Sequence, residues 1–128
     1  MATAEDIRAT VARYTEAMSA ADKEAWVGLF NPDATLEDPV GTEPHRGTEA
    51  IAAFFDLAQS LADSITLERT GPTRVAGREA AFPMRAISDL GGARMVIDII
   101  DVMSFDDDAR ITSMRAFWDP AEMRALDD

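Results

Sequence analysis

Residues 95–105 read MVIDIIDVMSF, a run of β-branched and apolar residues broken by Asp98 and Asp101. Side chains alternate along a strand, so Ile97, Ile99, Asp101, Met103 and Phe105 share one face while Val96, Asp98, Ile100, Val102 and Ser104 share the other. Both faces are apolar around their acid. An ionised carboxylate buried without a partner is so unfavourable that it takes up a proton, raising its pKa, and a neutral Asp can then donate a hydrogen bond. Pairing with an arginine such as Arg94 or Arg115, or solvation at a sheet edge, is the alternative, and the strand pattern by itself leaves both open.

Outward from this strand the pattern repeats. ITLERT and REAAFPMRAIS precede it and RITSMRAFW follows, with hairpin turns predicted at 89–92 and 106–108. The first third of the chain has a helical period instead: Ile7, Val11, Tyr14 and Met18 form one apolar stripe. Asp22 is placed to cap a second helix over 22–30, stopped by Asn31-Pro32. After the short extended piece ATLED and the loop DPVGTEPHRG, Thr48 caps a third helix with Ile51, Phe54, Phe55, Ala58 and Leu61 inward. Helices first and an antiparallel meander afterwards predict an α+β domain spanning 1–128, its helices packed on one face of a curved sheet.

Composition narrows the partners. A formal net charge of -12 over 128 residues repels nucleic acid and anionic lipid. Neither a secretory leader nor a stretch near the roughly 18 apolar residues of a membrane span is evident, so a cytoplasmic protein is expected. With no cysteine and only His45 as histidine, disulfides, thiolate sites and multi-histidine metal sites are excluded. His45 itself reads as a solvated loop residue.

Several blocks carry a resemblance over nearly the whole chain: RYTEAM, DATLEDPVGTEP and IIDVMSFDDDARITSMRAFW. In combination they resemble the bacterial steroid Δ5-isomerases, or ketosteroid isomerases. That resemblance implies the nuclear transport factor 2-like cone, a bent antiparallel sheet and three helices around a deep apolar pocket. It also implies a homodimer, a small apolar steroid substrate and no cofactor or metal. Carried onto these residues, it makes Asp38 the general base and makes Tyr14 and a protonated Asp101 the donors of an oxyanion hole, this family being a standard example of a carboxylic acid kept neutral. Asp98 receives no role. Val40, Phe82, Met84, Ile99, Met114 and Trp118 fall at pocket-lining positions, and Phe54 and Phe55 join them as candidates for substrate contact, although on local pattern alone such residues are equally core.

Two positions depart from the pattern. Some relatives back the oxyanion site with further tyrosines where this chain has Phe30 and Phe55, so Tyr14, its sole tyrosine, lacks that chain of hydroxyls. Donors to an oxygen depress its pKa, and a higher-titrating Tyr14 is expected. A non-catalytic binder of small apolar ligands, a polyketide cyclase and an epoxide hydrolase are rival readings, because one cone fold hosts many functions.

Overall fold

The computed structural model describes residues 1–126. Helix α1 (Ala4–Ser19) starts at a reciprocal cap: the Thr3 hydroxyl accepts from the Asp6 N–H at 3.0 Å, and the Asp6 carboxylate accepts from the Thr3 N–H at 3.1 Å. It ends with Ala21 at φ 54°, whose N–H bonds Met18 O while that of Asp22 bonds Ala17 O. Asp22 does cap α2 (Lys23–Val27), through the Ala25 N–H. The second helix is shorter than expected, because Phe30 already opens strand β1 (Phe30–Glu37). Pro32 is accommodated in β1 by a register shift between Phe30 and Thr35.

Strand β2 (His45–Arg46) returns antiparallel along β1, and α3 (Thr48–Ser60) follows. Gly47, at φ 88°, takes the N-cap position expected for Thr48. Ile51 and Phe55 turn inward, whereas Leu61 is 67% exposed rather than inward. The meander then runs through β3 (Ser64–Arg69), β4 (Arg74–Ala76), β5 (Glu79–Leu90), β6 (Ala93–Phe105) and β7 (Ile111–Phe117). A 3-10 turn (Pro120–Glu122) and β8 (Arg124–Ala125) complete the described residues.

The sheet order is β2-β1-β7-β6-β5-β3, with β4 on β5 and β8 on β6. It is mixed, not antiparallel throughout: β1 lies parallel to β7, since the three-strand meander between them brings β7 back beside β1 in the same direction. The ends of the order do not pair with one another, so the curved sheet stays open. Alternation in β6 is as read from MVIDIIDVMSF, with Ile99, Asp101, Met103 and Phe105 buried and Asp98 and Ile100 exposed. The helices cover the inner face, where Ile7, Val11, Trp26, Leu36, Ile51, Phe82, Met103 and Met114 form the core. No helix among the described residues is long and apolar enough to cross a membrane.

Candidate functional site

Strand β1 delivers Asp38 to the inner end of a cavity of about 360 Å³. The next turn is fastened to β7 by the Val40 N–H, which donates to Ala116 O at 2.8 Å. The same strand carries Trp118 just past its end, and the indole Nε1 donates to Asp38 Oδ1 at 2.5 Å. One carboxylate oxygen is therefore held and the other left to face the cavity. Burial pushes Asp38 up to about 6, against the lowering influence of the Trp118 bond and of nearby His45. His45 is thus no solvated loop residue. It sits half-buried in β2, paired with Leu36, and its ring lies 5.2 Å from that of Phe54.

Tyr14 reaches the cavity from α1 and is 2% exposed. Asp101 lies in mid-sheet, paired with Phe82 of β5 on one side and Ala116 of β7 on the other, and is 0% exposed. Neither of its carboxyl oxygens has a hydrogen-bond partner among the described residues. Burial first, then the charge of Asp38, pushes Asp101 well above the usual carboxylate range. The Tyr14 hydroxyl is likewise pushed well above its ordinary value by burial, then by Asp101 and Asp38. Asp38 acts electrostatically on both of the other groups, and Asp101 on Tyr14; Tyr14 and Asp38 border the cavity, whereas Asp101, buried in the sheet, does not. Asp98 has the arginine partner offered as an alternative, but with Arg124, at 2.7 Å on the outer face.

The residues expected at the pocket divide between the cavity and the core. Phe54, Met84, Ile99 and Trp118 face the cavity. Phe55 instead packs against Trp26, with ring centroids 5.3 Å apart. Phe82 and Met114 are buried in the sheet beside Asp101 and Met103 respectively, and Val40 lies in the loop tied to Ala116. None of these four borders the cavity space. Residues the sequence reading missed complete the wall: Met18, Leu57 and Leu61 from the helical side, Ile65 and Leu67 from β3, Ser88 and Leu90 from β5, and Met123 after the 3-10 turn. Alternation in β3 and β5 was the available signal for Ile65, Leu67 and Ser88, whereas Met123 had none.

The chain matches the model of the SnoaL-like domain over residues 11–114. It is 44% identical over 118 residues to the steroid Delta-isomerase of Nocardioides simplex, covering 92% of this chain and 94% of that protein. It belongs to the ketosteroid isomerase family. This ketosteroid isomerase relative also shares 33% identity over 121 residues, 90% of its length, with the epoxide hydrolase LasB of Streptomyces lasalocidi, of which it spans 42%. Among solved structures it superimposes at a TM-score of 0.86 on SalBIII, an epoxide hydrolase/cyclase-like enzyme in pyran ring formation in the polyether salinomycin. That structure is 26% identical, with 95% of this chain and 97% of the other covered. Membership of the ketosteroid isomerase family places the chain among isomerases.

Proposed function

We propose that the chain is a steroid Δ5-isomerase that moves the double bond of a Δ5-3-ketosteroid into conjugation. The supporting observation is the pairing of a carboxylate, Asp38, at an apolar cavity with a fully buried, unpartnered carboxyl, Asp101, which burial favours in its neutral form, and a buried phenol, Tyr14. Carbon 4 of such a substrate is acidified by the neighbouring ketone. Asp38 takes that proton, the C–H electron pair becomes a double bond between carbons 3 and 4, and the carbonyl pair moves onto the ketone oxygen, giving a dienolate conjugated with the double bond between carbons 5 and 6. Tyr14 and Asp101 donate to that oxygen as charge develops on it, in a water-poor site where each bond is strengthened. The proton then returns from Asp38 to carbon 6, so the base ends the cycle ionised.

The roles follow from protonation state. Asp38 is pushed up only to about 6 and is ionised at neutral pH, while Asp101 and Tyr14 are pushed further up from their ordinary values and remain donors. The test is the ultraviolet absorbance of the conjugated enone formed from 5-androstene-3,17-dione. Rapid turnover by the intact chain, reduced about 10²–10⁴-fold in Asp38→Asn, is the expected result for loss of a general base. Undiminished turnover in Asp38→Asn removes Asp38 from that role. Absence of turnover by the intact chain, with opening of an epoxide-bearing substrate, favours the activity named for LasB and SalBIII.

We further propose that two copies associate through the outer sheet face. Ile100 and Phe117 are register partners there, 52% and 42% exposed, and form an apolar pair on which a second copy could close.

A further inference from the structure

Strand β5 turns a ladder of alternate residues toward the cavity. Phe82 stands beside Asp101, and Met84, Ala86, Ser88 and Leu90 then follow along the wall. Among the described lining residues only Tyr14, Asp38, Trp118 and Ser88 carry a polar side-chain atom. The first three meet at the inner end, so Ser88 is alone at the other, half-buried between Ala86 and Leu90 and opposite Met95. Its hydroxyl has no protein partner among the described residues. A half-buried hydroxyl in an otherwise apolar wall needs a partner from what enters the cavity.

The spacing identifies that partner. Four fused rings built from bonds near 1.5 Å hold oxygens on carbons 3 and 17 about 11 Å apart, and a hydrogen bond of about 2.8 Å at each end makes about 16 Å from donor to donor. Six residues of extended strand, from Phe82 beside Asp101 to Ser88, span roughly 20 Å. The steroid and this wall are thus of comparable length, so a steroid held by its carbon 3 oxygen at the inner end extends into the half of the cavity that Ser88 lines. Resting on the isomerase reading, we propose that Ser88 is a specificity-determining residue that donates a hydrogen bond to an oxygen at the distal ring of the steroid, and so selects 17-oxygenated substrates over those bare at carbon 17.

The experiment compares kcat/KM for 5-androstene-3,17-dione and for 5-androsten-3-one, which differ only in the distal oxygen. Wild type favours the dione about fivefold, as one neutral hydrogen bond supplies a few-fold to tenfold discrimination. In Ser88→Ala the ratio falls to about one while turnover of 5-androsten-3-one persists, which also certifies the variant as folded. Ser88→Thr, which keeps the hydroxyl, retains the preference. An equal ratio in wild type and Ser88→Ala overturns the role of Ser88 and leaves the isomerase intact. Turnover of neither steroid by wild type removes the isomerase reading, and this inference with it.

Discussion

The indole of Trp118 sits 80 positions along the chain from the carboxylate it holds, and that one bond orients Asp38 and tempers the rise that burial imposes on its basicity. A donor to a carboxylate lowers its pKa, and here it works against the burial that raises Asp38 to about 6. Trp118→Phe keeps the apolar wall and removes the N–H. The acid limb of kcat/KM, centred near pH 6 in the wild type because activity needs ionised Asp38, is then expected to move upward by about one unit, consistent with a hydrogen bond to a charged group. A pH–rate profile of the two proteins checks this, and an unmoved limb denies Trp118 its influence. The basic limb lies well above neutral in both, since Tyr14 and Asp101 hold their protons there. The paired acids in MVIDIIDVMSF already raised the choice between a neutral donor and an ion pair. Their faces separate the two, with Asp98 outward on Arg124 and Asp101 inward without a partner. The sequence contained no sign of which arginine meets Asp98 or of the Trp118 bond, because both partners come from distant strands.

Among the elements, those with strong periodicity were legible and those defined by a partner were not. Strands β3, β5, β6 and β7 announce themselves by alternation and by the turns between them. The two-residue strands β2 and β8 are too short to show a period, and the parallel pairing of β1 with β7 depends on topology that no local stretch encodes. At the end of α1, Ala21 occupies the left-handed position at φ 54° that glycine adopts without a Cβ penalty. The flanking bonds from Ala21 and Asp22 back into the helix are both made, so the site is geometrically sound and pays only the strain. Ala21→Gly is expected to stabilise the protein by about 1 kcal/mol, a rise of a few degrees in melting temperature, with activity unchanged. A lowered melting temperature refutes this account of the turn.

For the molecule as a whole, the buried Asp38 of the candidate site is a liability to folding. Asp38 is raised from 3.8 to about 6, so the folded state binds a proton more tightly than the unfolded one. Its neutral form stabilises below the unfolded pKa, and that contribution is lost as pH rises from about 4 through 6. Two units correspond to about 3 kcal/mol. Asp38→Asn has no such charge to bury and is therefore expected to gain stability over the wild type between pH 4 and pH 8, by up to about 3 kcal/mol. Denaturant unfolding of both proteins at the two pH values measures it, and a constant difference rejects it. The proposed association belongs to this scale too. Sedimentation of the intact chain at micromolar concentration is expected to give twice the 13.9 kDa of one copy, whereas a monomer leaves Ile100 and Phe117 without a covering partner. Helices on one face of a curved sheet were foreseeable from the order of elements, and the cone with its apolar interior from the family resemblance, while the division of its side chains between wall and core was not. Phe54 and Phe55 illustrate why: neighbours on one helix, they point about 100° apart, and although both rings meet Trp26, only Phe54 also borders the cavity.

The two tryptophans stand in opposite optical environments. Trp26 is 0% exposed among Tyr14, Phe30, Phe54 and Phe55, with no acceptor for its N–H among the described residues, so it emits from a dry environment. Trp118 is half-buried with its N–H on a titrating carboxylate. Trp118 therefore reads the charge on Asp38 directly, whereas Trp26 senses the cavity only through its contacts with the rings of Tyr14 and Phe54, and the protein carries its own spectroscopic gauge of occupancy and of that charge.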